Sequence, residues 1–135
     1  MPKIRVLIVE PNEEPRQARI EHTLHDLQSI VGGLIEYVEL EYNVDLICNE
    51  EGKLNNLELN RSITNDIIAG TFIVAGQHDG DTISLSRKQI KKYKKRFKLE
   101  NDRELMSLKK RMMVNSSDSI KYNIIGIDNE KTYKL

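Results

Sequence analysis

No stretch of this chain approaches the roughly 20 consecutive apolar residues that a membrane-spanning helix needs, so no span is expected. Cysteine occurs once, at Cys48, which excludes an internal disulfide and fits a reducing compartment. The short apolar run in MPKIRVLIVEP alternates like a strand and lacks a small-residue cleavage site, so no signal peptide is expected. There is no GxxxxGK[ST] phosphate loop, no internal repeat and no low-complexity tract. Net charge is also absent, with 21 Lys/Arg against 21 Asp/Glu.

What is present describes a globular protein. The 135 residues are 39% hydrophobic and 31% charged, with a mean hydropathy of −0.52. That length suits a core of one domain, here placed at residues 1–98, with a tail at 99–135. The balanced charge is unevenly distributed. Residues 1–66 hold 13 acids and 6 Lys/Arg, whereas residues 67–135 hold 8 acids and 15 Lys/Arg. Such polarity can steer a charged ligand or favour head-to-tail contact, and it carries no information about fold.

Alternation predicts a first strand over residues 3–9, then a turn at Pro-Asn-Glu-Glu-Pro and an edge-like return over 16–21 with Ala18 and Ile20 inward. Thr23 is placed to cap a helix, with Asp26 three residues on. The stripe Leu24, Leu27, Ile30 and Val31 follows, and Gly32-Gly33 ends it. Residues 34–40 and 44–48 read as strands around a short reversal. Asn49–Lys53 reads as a turn with Gly52 left-handed, and 54–66 as an ordered loop pinned by its leucines. Ile67–Gly70 then leads into the most apolar run, Thr71–Ala75, expected near the sheet centre, and Gly76–Asp81 reads as a turn. Ser86 and Gln89 form a capping box, with Leu85 against Ile90 as a hydrophobic staple and Ile90, Tyr93 and Phe97 as the buried stripe. A further helix is expected over 102–113 with Leu105, Leu108 and Met112 in register, then a break at 115–118 and a strand at 122–127. The architecture is therefore α+β: a mostly antiparallel sheet with helices packed on it, plus a C-terminal helix–strand extension.

The strings LIVEP, TLHDLQSIVGGLIEYVEL, CNEEGKLNNLELNR, DIIAGTFIVAG and LSRKQIKKY, within residues 3–97, resemble the family called domain of unknown function 3846. That family is scattered among phages, plasmids and other mobile elements of bacteria and has no settled biochemical role. The resemblance implies a cytoplasmic accessory protein, in the host cytoplasm if viral, with no reaction attached.

Hydrogen-bonding capacity concentrates between Leu46 and Ala75. There Asn49, Asn60 and Arg61 could hold a ligand, since Arg offers a planar donor fork for phosphate and Asn amides both donate and accept. Lys53 would add a charge, Glu50 or Glu51 would accept hydroxyls or amines, and Gly70-Thr71 would admit a ligand to the backbone. The competing reading makes Asn49 and Gly52 turn formers and pairs Arg61 with Glu50, Glu51 or Asp66. Carboxylate pairs occur at Glu13-Glu14, Glu50-Glu51 and Glu39 with Glu41, and the last is expected on one strand face. His22, His25 and His78 beside Asp79 read as solvent-facing, and Cys48 as a small hydrophobe without a base. The helix 86–98 carries Arg87, Lys88, Lys91, Lys92, Lys94, Lys95, Arg96 and Lys98 without an acid, a surface for polyanions or for balancing the acidic half.

The expectation is a non-catalytic protein that binds, and could sequester, a small phosphorylated or nucleotide-derived ligand, as an anti-defence factor would. It would use Asn49, Glu50, Lys53, Asn60, Arg61 and Thr71, with no cofactor and no metal. Inhibition of a host protein is the alternative, nucleic-acid binding through the basic helix the third reading, and a homodimer is plausible. No membrane partner is expected.

Overall fold

A computed structural model describes residues 3–116. The strands are β1 (Lys3–Val9), β2 (Arg16–Glu21), β3 (Ile35–Glu41), β4 (Val44–Asn49), β5 (Leu59–Ile63), β6 (Asp66–Ala69), β7 (Phe72–His78) and β8 (Asp81–Ile83). The helices are α1 (Leu24–Val31), α2 (Arg87–Arg96) and α3 (Arg103–Ser116), with a 3-10 turn at Leu99–Asn101 between the last two. The fold is α+β, and every strand pairing among the described residues is antiparallel.

The main sheet runs β2-β1-β7-β4-β3, and β8 pairs with the far end of β7. Its centre is β7, because Phe72, Ile73, Val74 and Ala75 are apolar on both pleats and can be buried from both sides. Alternation divides them between two cores. Phe72 and Val74 join Leu7, Val9, Val44 and Leu46 beneath Leu85, Ile90, Tyr93 and Phe97 of the α2 segment. Ile73 and Ala75 join Val6, Ile8, Ile20 and Ile47 against Leu27 and Val31 of α1. The two helices therefore cover opposite faces.

Both helices begin where their caps place them. Thr23 accepts from the Asp26 N–H at 3.1 Å and Gly32, at φ 85°, closes α1. Ser86 and Gln89 make the reciprocal capping box of α2. Leu24, expected on the buried stripe, is instead 59% exposed, since it sits in the first turn before α1 settles on the sheet.

The largest departure lies in residues 54–70. The expected loop contains β5, and Asp66–Ala69 forms β6 rather than the entry to β7. The two strands make a separate antiparallel ribbon around Asn65, which takes the left-handed conformation at φ 64°. Gly70, at φ 88°, then breaks β6 from β7. Likewise Gly76–Asp81 is not all turn: β7 continues to His78, and the reversal to β8 is confined to Asp79-Gly80.

The ribbon faces the main core through Ile68 and receives α3 on its other side, where Leu105 and Leu108 pack on Ile67 and Leu59. Asp102 anchors that contact, accepting from Ser62 N and Ser62 Oγ at 2.7 Å each and from Leu105 N at 2.9 Å. Met112 of the expected stripe is 41% exposed. α3 runs through Ser116, beyond the expected break at 115, and the strand expected at 122–127 lies outside the described residues. No helix among the described residues is long and apolar enough to cross a membrane.

Candidate functional site

The central polar stretch separates into two places. Asn49, Glu50 and Lys53 line a cleft of about 200 Å³ together with Glu36, Glu51 and Asp66. Asn60, Arg61 and Thr71 do not line it.

Within the cleft, Asn49 is 7% exposed and holds the chain in shape. Its Nδ2 donates to the Val31 carbonyl at 3.2 Å, and its Oδ1 accepts from Glu51 N at 2.8 Å. Gly52 is not left-handed, unlike Gly32, Gly70 and Gly80. Glycine is required there because a Cβ would sit 2.5 Å from the Ala69 carbonyl oxygen, so the turn could not lie against β6. Lys53 Nζ meets Asp66 Oδ1 at 2.5 Å. With four carboxylates around one ammonium, the cleft has a negative field that opposes a phosphate.

Asn60 and Arg61 instead form a buried knot, each 0% exposed. Asn60 Nδ2 donates to the carbonyls of Val9 and Gly70, both at 2.8 Å. Arg61 Nε donates to the Phe97 carbonyl at 2.7 Å, Nη2 to the Glu13 carbonyl at 2.6 Å, and Nη1 to Asn60 Oδ1 at 2.8 Å. One guanidinium thereby joins the β1–β2 loop, the ribbon and the end of α2. Burial pushes its pKa down, opposed by the charges of Glu14 and Asp102. Asn60 uses both of its amide hydrogens on these carbonyls, and Arg61 directs its Nε, Nη1 and Nη2 groups at the protein's own acceptors inside a fully buried site.

The remaining candidates are dispersed. Cys48 is buried in the main core, and burial together with the charges of Glu36 and Asp66 pushes its thiol up to about 12. Such a thiol is neutral and a poor nucleophile. His22, His25, His78 and Asp79 are exposed. Glu39 and Glu41 do not share a strand face, because a register shift falls between them. Glu39 raises the pKa of Asp45, second to that group's burial, whereas Glu41 pairs with Lys92 on α2 at 2.6 Å. Among the described residues no three of His, Cys, Asp and Glu converge as metal ligands do.

The concentration of positive charge lies elsewhere. A groove of about 580 Å³ runs between β1–β2 and α2, lined by Arg5, Gln17, Arg19, Arg87, Ile90, Lys91 and Lys94. Five of these seven are cations and none is an acid. The register places Arg5 directly opposite Arg19 and Leu7 opposite Gln17, so the face that packs under α2 at Leu7 becomes polar towards the sheet edge. Arg87, Lys91 and Lys94 form one flank of α2 at helical spacing. On the same helix Lys92 is neutralised by Glu41.

Arg5 is pinned by its backbone. Its N–H donates to Ser84 Oγ and its carbonyl accepts from Leu85 N, both at 2.8 Å. Its side-chain Nε is buried and finds no acceptor among the described residues. A buried unpaired donor is costly, and sites that hold a charge for a partner are where such costs are found.

Sequence reasoning identified the basic helix but not its partners in the sheet. Arg5 and Arg19 are fourteen positions apart and meet only in one hairpin register, which the long Glu10–Pro15 connection leaves open.

The family described as domain of unknown function DUF3846 matches residues 4–98, which include β1 through α2 and therefore both walls of the groove. No curated protein and no solved structure matches the chain. The family match covers most of the chain and the whole of the six-stranded sheet, and on that basis the protein belongs to the DUF3846 family.

Proposed function

We propose that the protein is a non-catalytic binder of a small phosphorylated ligand, and that the ligand occupies the groove between β1–β2 and α2. The observation that carries this reading is the opposition of Arg5 and Arg19 across the hairpin, facing Arg87, Lys91 and Lys94 with no carboxylate in the lining. Five cations held in one concavity repel one another, and an anion relieves that repulsion. Arg supplies bidentate donors to phosphate oxygens, and Lys adds point charges from the other wall. Among the described residues the lining holds no carboxylate, imidazole, hydroxyl or thiol to act on a bound phosphate, so the groove suits capture rather than conversion. Capture without turnover is what a sequestering accessory protein of a phage or mobile element would require.

The acidic cleft is a poorer site for the same ligand. Glu36, Glu50, Glu51 and Asp66 outnumber Lys53, whose ammonium already meets Asp66.

Thermal denaturation with pyrophosphate, AMP, ADP and ATP at millimolar concentration tests the reading. Binding to the native state alone must raise the melting temperature. The rise should shrink in Arg19→Gln and Lys91→Gln, both exposed positions where folding is spared. A melting temperature unmoved by every phosphate compound would overturn the proposal.

A further inference from the structure

We infer that the groove recognises a chain of linked phosphates rather than the rest of the molecule that carries it, so that its ligand class is the polyphosphates and nucleoside polyphosphates. This rests on the reading of the groove as a phosphate site.

Three observations lead to it. The first is length. Arg87 and Lys94 are seven residues apart on α2, which separates them by about 10 Å along the helix axis. With Lys91 between them they form a row, and a single phosphate held at one end leaves the far cation unneutralised. The facing wall has its own paired charges, Arg5 and Arg19, at one level of the hairpin. A row opposite a pair suits an anion that extends along α2.

The second is what the lining lacks. Ile90 is its one apolar side chain, and it contains no aromatic ring. Tyr93 and Phe97, the rings of α2, are turned into the core at 2% and 1% exposure, and Phe97 packs edge-on against Phe72. Base recognition generally uses a stacking surface. Among the described residues none is offered here, and Gln17 is the one neutral polar side chain in the lining to read an edge.

The third is shape. The cavity of about 580 Å³ lies within the range of small-molecule sites. The cations stand on two walls of it, Arg5 and Arg19 on the hairpin and Arg87, Lys91 and Lys94 on α2. A duplex is read by an element that protrudes into its groove, whereas the Arg87–Lys91–Lys94 flank faces the β1–β2 wall. A compact polyanion enters such a concavity; a nucleic-acid helix lies outside it.

Calorimetric titration of the full chain with sodium tripolyphosphate, ATP, GTP, AMP and a single-stranded oligonucleotide tests this. The expected result is tripolyphosphate, ATP and GTP within about threefold of one another and AMP at least about tenfold weaker, since each lost charge-assisted contact costs about that factor. Lys94→Gln should weaken tripolyphosphate by about tenfold and AMP far less, because only the longer anion reaches it. Lys92→Gln, on the flank paired with Glu41, should leave both unchanged. AMP binding as tightly as ATP, or ATP and GTP differing by more than about tenfold, would overturn the inference while leaving phosphate binding intact. Oligonucleotide binding without tripolyphosphate binding would replace it with a nucleic-acid site. Silence from every anion would remove the phosphate reading as well.

Discussion

Arg5 and Arg19 stand directly opposite one another on β1 and β2, and the nearest helix flank presents three more cations to them. Opposed like charges on a sheet destabilise the pair, whereas opposed unlike charges contribute roughly 0.2–1 kcal/mol. Arg19→Glu is therefore expected to stabilise the fold modestly and to abolish phosphate binding. Urea denaturation and ligand titration of the same variant measure the two effects. A loss of both together would mean that Arg19 supports the structure instead of a ligand.

Arg61 is expected to behave in the opposite way. Truncation to Ala leaves the Phe97 and Glu13 carbonyls and Asn60 Oδ1 without their donor, and should cost about 3 kcal/mol or more in urea denaturation. Lysine at 61 cannot reach three acceptors lying in different directions, so Arg61→Lys should recover little of that. Because Asn60 and Arg61 share a hydrogen bond, the double substitution should cost less than the sum of the two single ones. Ligand affinity, measured where the variant remains folded, should be unchanged.

Alkaline pH should expose the core. Burial pushes Cys48 from its ordinary 9.0 up to about 12 and Tyr93 from 10.0 up to about 12, so both stay protonated in the folded chain while their unfolded counterparts ionise. The unfolded state then binds fewer protons than the native one, and stability must fall as pH rises from about 9 towards 12. Below pH 9 the contribution of both groups is fully present. Denaturant midpoints across this range should slope downward, and Cys48→Ala with Tyr93→Phe should flatten the slope. In the native protein at pH 8 a thiol reagent should find Cys48 unreactive.

Asp102 is expected to control the docking of α3. Asp102→Ala removes the acceptor of Leu105 N together with both bonds from Ser62, and should cost about 1–2 kcal/mol, as lost caps do. Hydrogen exchange should quicken in residues 103–112 while the amides of β7 hold their protection. Equal loss in both regions would show that α3 and the sheet unfold as one unit.

The parts of this fold that were legible in the sequence are those where apolar periodicity and caps agree. Phe72–Ala75 announces the central strand, and Thr23, Ser86 and Gln89 announce both covering helices. The β5–β6 ribbon was missed because two of its fully buried positions are Asn60 and Arg61, which hydrogen bonding makes tolerable and which apolar alternation cannot reveal. The same chemistry made Asn60 and Arg61 look like ligand-binding groups, when their donors serve the protein's own carbonyls. Gly52 was assigned to the right turn for the wrong reason, since the closeness of Ala69 decides it and backbone handedness does not. The groove was half legible. The stripe 87, 91 and 94 can be counted on a helix, but Arg5 and Arg19 become neighbours only through strand register.

β2 lies at the margin of the sheet, and β1 is its one strand partner among the described residues. Such a strand peels away in local opening events that leave the centre intact. Its Arg19 forms one wall of the groove, whereas α2 on the other wall is rooted in the core by Ile90, Tyr93 and Phe97. An anion lying between them would act as a clasp, fastening an edge strand to a helix rooted in the core. Occupancy would then be read at a distance from the charges themselves, as slower amide exchange along Arg16–Glu21, and the sheet's edge would report on what the groove holds.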